Sequence, residues 1–298
     1  MEKYAGELAA LGTSLCWSFG SVFFTIASRL IGSTEVNRIR LVVGMLFLMF
    51  THWILHGMIF PINATVDHWF WFGISGIIGF TIGDTFLFRG YLLIGPRLTM
   101  LLMSLSPIFG TILAWTFLKE SLKPVEVFAI AVTLLGISMV LYDKKKEGPK
   151  ERSFANGILC GICASLCQAL GYYASKRGLL CYDFPAISGN VIRVTFGAIF
   201  IWLIAGVQGE IRATLGKLTN RRADMSILGG AFFGPFVGVW LSLVAIQYTN
   251  IGIASTLMAL PPVILIPISH LLFKENITHT SIIGTIIAIT GVALIFIT

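Results

Sequence analysis

The chain has 298 residues, of which 56% are apolar and only 12% charged, and its mean hydropathy is +0.87. Soluble domains carry about a quarter charged residues, so this composition excludes an ordinary soluble domain and predicts a polytopic membrane protein. In such a chain a net charge of +7 reports topology and contact with anionic lipid, and it does not point to nucleic acid as a partner.

Apolar stretches of about 20 residues, the length an α-helix needs to cross a bilayer, follow one another along the chain. The first, residues 5–28, is too long for a signal-peptide core and follows Glu2 and Lys3 rather than a basic run, so it is expected to remain as a first membrane helix. Further spans are expected at 34–56, 68–91, 96–118, 124–142, 155–178, 184–207, 225–249, 252–273 and 279–297, ten in all. Two connections stand out. "DKKKEGPKERS" (143–153) has no apolar content and reads as a linker between two halves. "QGEIRATLGKLTNRRAD" (208–224) sets Ile211, Leu215 and Leu218 at helical spacing opposite basic residues, a pattern that fits either a helix on the membrane surface or a solvated loop.

The halves repeat. An offset of 155 residues lays "LLMSLSP" (101–107) on "TLMALPP" (256–262), "FLKE" (117–120) on "LFKE" (272–275), and Gly79 and Gly83 on Gly234 and Gly238. A slightly smaller offset sets "SLCWSFG" (14–20) against "SLCQALG" (165–171) and Arg40 against Arg193. Each half holds five spans, an odd number, so the second must enter the membrane from the opposite side. The expected architecture is an all-α membrane protein of ten transmembrane helices built as two inverted five-helix repeats, a common plan of secondary transporters.

An Arg early in the second helix of each half, a Pro inside the fourth and a Lys-Glu closing it resemble the EamA-type transporters of the drug/metabolite transporter superfamily. The resemblance covers the whole chain. It implies a first EamA-like repeat at 1–142, a charged linker at 143–154, a second repeat at 155–298, and export of a small metabolite through a central cavity. Loop charges and resemblance disagree on orientation: Arg29, Lys144, Lys145, Lys146 and Arg97 fall on the side away from the termini, which puts the termini outside, whereas ten-helix relatives have cytoplasmic termini.

Charge inside a bilayer costs several kcal/mol unless it faces a cavity or a partner, so Glu35, Arg38, Arg40, Asp84, Arg89 and Arg193 each need a reason. Glu35 and Arg38 are three apart at a helix start and are expected to pair locally at the interface. Arg40 and Arg193 recur in both halves, which fits either scaffolding or anion binding. Asp84 breaks the repeat, because Val239 stands at its counterpart. A substrate is not symmetric, so Asp84 is a candidate for substrate contact or proton coupling; the plainer reading is a packing acid bonded to a Ser, Thr or Arg on a neighbouring helix. Arg89 lies about 140° around the same helix from Asp84 and about 7.5 Å along it, so the two do not pair and Arg89 is expected to reach the headgroups.

Trp17, Gln168, Tyr172 and Trp240 are the candidates for shaping a cavity, with Tyr173, Gln247 and Tyr248 as further possibilities. Interfacial placement is the competing reading for such residues. Pro107, Pro261 and Pro262 sit inside spans and should break them where transporters place binding sites. Four of the five cysteines fall in spans, and Cys160-x-x-Cys163 has no second pair, so no metal is expected. His52, His56 and His68 are the only residues on which a membrane-embedded lipid-modifying enzyme could be built; the interface explains them better. The expectation is a multi-pass protein of the cell (inner) membrane, monomer or homodimer, needing no cofactor. Its partners would be a small-molecule substrate, membrane lipid and a coupling proton.

Overall fold

The computed structural model describes residues 4–118, 124–146, 151–181, 184–248 and 257–296, and every regular element among them is helical. The elements are α1 (Ala5–Ile31), α2 (Ser33–His56), α3 (Val66–Gly76), α4 (Asp84–Met103), α5 (Ser106–Leu118), α6 (Pro124–Lys146), α7 (Glu151–Cys181), α8 (Ala186–Val207), α9 (Ile211–Gly216), α10 (Arg221–Ala231), α11 (Val239–Tyr248), α12 (Pro261–Phe273) and α13 (His279–Phe296). Among the described residues seven continuous helical stretches are long and apolar enough to cross a membrane, and Pro261–Phe273 and His279–Leu294 are shorter apolar helices.

The difference from a simple count of spans has local causes. Residues 66–103 form one stretch of 38 residues, but it is interrupted at Gly95, whose φ of 82° is readily adopted only without a Cβ. Pro96 then opens the returning arm, with Thr99 donating to the Gly95 carbonyl at 2.7 Å. The fourth span is broken again by a turn at Ser104 and Leu105, and the ninth at Ala259 and Leu260. These positions match at the 155 offset, each just before the proline the sequence marked. Helices α6 and α7 reach into the charged connection, to Lys146 and from Glu151. The Lys119-Glu120 end of the first repeat lies outside the described residues.

A second pair of matched irregularities joins α3 to α4 and α10 to α11. Residues Ile77–Gly83 and Phe232–Gly238 are both π-helical, again one offset apart. At their ends Asp84 N–H bonds the Gly79 carbonyl and Val239 N–H bonds the Gly234 carbonyl. Widening the helix in this way frees backbone carbonyls for side chains on other elements, a feature common at functional sites.

Packing obeys the same repeat. Gly20 on α1 lies against Gly234 and Gly230, while Gly171 on α7 lies against Gly79 and Ser75. Helices α6 and α13 meet along Gly136, which abuts Gly284 and Ala288, and along Gly291, which abuts Thr133 and Ala129. Exchanging the halves turns one contact into the other, as in an isologous interface. With little hydrophobic drive between helices in lipid, close approach through small residues holds them together. Gly136→Leu is therefore expected to destabilise the protein by about 1–3 kcal/mol through overpacking, read as a lower unfolding temperature in detergent, with the exposed Leu135→Ala as the neutral control.

Candidate binding site between the halves

The first turns of α2 and α8 carry the same element, Asn-x-x-Arg, as Asn37/Arg40 and Asn190/Arg193. All four side chains are at most 3% exposed. Asn37 Nδ2 donates to the Phe80 carbonyl at 3.1 Å, and Asn190 Nδ2 donates to the Pro235 carbonyl at 3.1 Å. Both acceptors lie in the π-helical segments, so each half anchors its arginine-bearing helix on the other element's opened backbone.

From there the halves part. In the first, Arg40 Nε donates to Asn37 Oδ1 at 3.0 Å and Nη2 pairs with Asp84 Oδ2. The guanidinium also lies 4.8 Å from the Phe88 ring centre and 5.4 Å from that of Phe24. Asp84 is thus the acid bonded to an arginine on a neighbouring helix, and Arg40 is neutralised. Arg89, by contrast, is exposed. In the second half Arg193 sits 4.9 Å from the Phe80 ring centre, yet its Nε and Nη1, along with Asn190 Oδ1, have no hydrogen-bond partner among the described residues. Val239 stands where an acid would be and packs with Val191 and Val194.

Of the other sequence candidates, Tyr172 on α7 joins this cluster. It lies within electrostatic reach of Arg193 and Asp84, and its hydroxyl faces Gln168 and Ser242 without forming a hydrogen bond of normal geometry among the described residues. Trp17 is half-buried against Gly238, the residue before Val239. Trp240 stacks on Phe236 at 6.2 Å and packs against the apolar cluster that includes Leu41 and Val194. Tyr248 is 67% exposed and takes no part; the Gln247 side chain lies outside the described residues.

Several charges do something other than expected. Glu35 and Arg38 do not pair with each other. Arg38, 2% exposed, reaches Glu210 at 2.6 Å, Thr214 at 2.9 Å and Gln208 at 3.1 Å, and Glu35 takes Lys217 at 2.6 Å. A buried guanidinium needs several acceptors, and the 208–217 segment supplies them. That segment does form a short helix, with Ile211, Leu215 and Leu218 exposed and Thr214 buried. Arg97 is no loop charge: it is 1% exposed, paired with Glu275 at 3.0 Å and bonded to Ser281 at 3.2 Å. Among the described residues these ion pairs between halves all lie at the end of the molecule where α6 ends and α7 begins, joined there by an Asp143–Thr278 hydrogen bond.

At the opposite end the described contacts between the halves include two imidazoles. His52, 1% exposed rather than interfacial, bonds Ser188 Oγ at 2.9 Å and the Met58 carbonyl at 2.7 Å. His68 closes a reciprocal cap with Thr65 at the start of α3 and stacks on Phe184 at 4.1 Å. Of the three imidazoles on which a lipid-modifying site could be built, His52 and His68 are engaged in structure and His56 is exposed. Asn37 and Asn190 were missed as site residues, although "NRIR" (37–40) against "NVIR" (190–193) is a repeat as clear as any in the chain.

The fold and site define a multi-pass integral membrane protein with a charged cluster buried between two repeated halves. The family model of the EamA-like transporter family matches residues 4–142 and 155–297, and the chain belongs to that family. It is similar to a protein of Clostridium kluyveri called an uncharacterized transporter, 26% identical over 62% of this chain and 58% of that one. A second uncharacterized transporter, of Archaeoglobus fulgidus, is 24% identical over 74% of this chain and 75% of that one. GDP-fucose transporter 1 of Nematostella vectensis is 27% identical over 45% of this chain and 40% of that one; the chain thus spans well under two thirds of the first and third of these relatives. A crystal structure of a protein 14% identical shares the fold, with a TM-score of 0.66 over 98% of this chain and 96% of that one.

Proposed function

We propose that the protein is a secondary transporter, an exporter or exchanger, of a small polar metabolite such as an amino acid, working by alternating access between two inverted five-helix repeats. The observation that carries this reading is a buried polar element built twice whose charge is balanced in only one half. A passive scaffold has no use for that imbalance, and buried ionisable groups in membrane helices mark substrate and ion pathways. Asp84 is the coupling or substrate-contacting acid in this scheme: a proton or a substrate amine that engages it loosens its hold on Arg40. Trp17, Gln168, Tyr172 and Trp240 shape the cavity around it. The protein works in the cell membrane as a monomer or homodimer.

The test is uptake of an amino-acid mixture into proteoliposomes under an imposed pH gradient. Asp84→Asn keeps the size of the side chain and removes its titration; gradient-driven uptake should fall at least about tenfold, a loss of about 1.4 kcal/mol of coupling. Unchanged transport with an unchanged pH dependence would remove Asp84 from the mechanism. A second reading has an anionic or phosphorylated metabolite held by Arg40 and Arg193, in keeping with the relative called a GDP-fucose transporter. The closed Arg40–Asp84 pair shifts that reading onto Arg193.

A further inference from the structure

The first half shows what an Asn-x-x-Arg element looks like when its guanidinium is satisfied. Asn37 holds the Phe80 carbonyl and orients Arg40 through Oδ1, and a carboxylate, that of Asp84, closes the guanidinium. The second half repeats the anchor, Asn190 on the Pro235 carbonyl, but Val239 removes the carboxylate. Among the described residues Arg193 is left 2% exposed with Nε and Nη1 unbonded, Asn190 Oδ1 is unbonded as well, and Tyr172, whose hydroxyl faces Gln168 and Ser242, lies within electrostatic reach. Nε and Nη1 open onto different edges of the guanidinium, and either can join Nη2 to form a fork of the shape that takes a carboxylate through paired N–H···O contacts.

We propose that Arg193, with Asn190 as its positioning residue and Tyr172 as a neighbouring donor, is the anchor for a carboxylate of the transported molecule, which supplies in the second half what Asp84 supplies in the first. The assignment rests on the transporter reading and narrows it to carboxylate-bearing substrates. Arg40 is outside the anchor, because its charge is already balanced. The asymmetry has a purpose on this view. A site with internal carboxylates in both halves would be closed to an acid, and a site with none would bury two bare guanidinium groups at a cost no small ligand could offset. One of each leaves a net positive charge that a single carboxylate cancels.

The test is ligand binding by the purified full-length protein, so that it does not depend on flux. Amino acids and short monocarboxylates such as pyruvate and propionate are compared with the matching carboxamides, and with inorganic phosphate, by the rise in unfolding temperature that a ligand of the folded state produces. The acids should raise it and the amides should not. Arg193→Gln should abolish the rise. Because that variant also removes a buried charge, Val239→Asp serves as the independent check: it places an internal carboxylate at the position equivalent to Asp84. This variant should be as stable without ligand as the wild type saturated with acid, and should lose at least about tenfold in affinity for every carboxylate. Amides that shift the wild type as much as acids, phosphate that binds while carboxylates do not, or acids that shift Val239→Asp as much as the wild type would each overturn the assignment. Carboxylate binding without carboxylate flux in vesicles would leave the anchor in place and overturn the transporter reading alone.

Discussion

Replacing Asp84 with alanine should lower the stability of the protein by about 3–5 kcal/mol, the usual cost of breaking a buried ion pair by deleting one partner. The loss comes from Arg40 rather than from Asp84. Arg40 is 3% exposed and keeps Asn37 and the faces of Phe24 and Phe88, but these are neutral groups and cation–π contacts contribute only about 0.5–2 kcal/mol each. The double variant Arg40→Met/Asp84→Leu should recover most of the loss, since exchanging a buried pair for well-packed apolar groups is often neutral. Unfolding in detergent, followed for both single variants and the double, reads the interaction directly as a non-additive term. A double variant no more stable than Asp84→Ala would show that the pair does not carry the effect. Asp84→Asn, which keeps an acceptor for the guanidinium, should cost clearly less, and this makes it the better variant for transport.

The second large effect is expected at Glu275. Arg97 is the largest of the fully buried side chains, follows the Gly95 break, and is held by Glu275 at 3.0 Å and Ser281 at 3.2 Å across the boundary between the halves. Glu275→Ala strands that guanidinium with one hydroxyl, and about 3–5 kcal/mol of stability should go with it. Glu275→Gln retains an acceptor and should lose about 1–3 kcal/mol. The diagnostic control is Glu210→Ala. Its partner Arg38 is as buried as Arg97, but Glu210 itself is 51% exposed and Arg38 keeps Thr214 and Gln208, so water and the remaining acceptors soften the loss. Thermal unfolding of the three variants side by side should rank Glu275→Ala first.

Much of this architecture can be read in the residues, because a membrane helix announces itself by length and composition and a repeat by its offset. The breaks before Pro107 and Pro261 were visible because proline states its backbone preference locally, and Gly95 falls in the gap between the expected spans 68–91 and 96–118. Charge that broke the repeat, Asp84 against Val239, marked in the residues the position at which the two halves differ in the structure. The partner of Asp84 was not legible, since Arg40 is 44 residues away and helix geometry could say only that Arg89 was not that partner. The π-helical segments were not read from the residues, although Pro235 inside the second one removes a backbone donor. Arg38 and Glu35 misled, as neighbours three apart on a helix commonly do: a buried guanidinium found better acceptors 170 to 176 residues along the chain.

The distribution of ion pairs over the two ends of the molecule gives electrolyte a one-sided grip on it. Where α6 ends and α7 begins, Glu35–Lys217 and Arg38–Glu210 are open enough for mobile ions to reach, with Lys217 41% and Glu210 51% exposed. Electrostatic attraction between such groups fades beyond about 8 Å at physiological ionic strength and sooner in stronger salt. At the far end the His52–Ser188 hydrogen bond and the His68–Phe184 stack are buried contacts of a different kind, and the apolar part of them varies with temperature. Salt added to one compartment thus acts first on one end of the molecule, so in a vesicle whose inside and outside are set independently the two ends can be loosened separately.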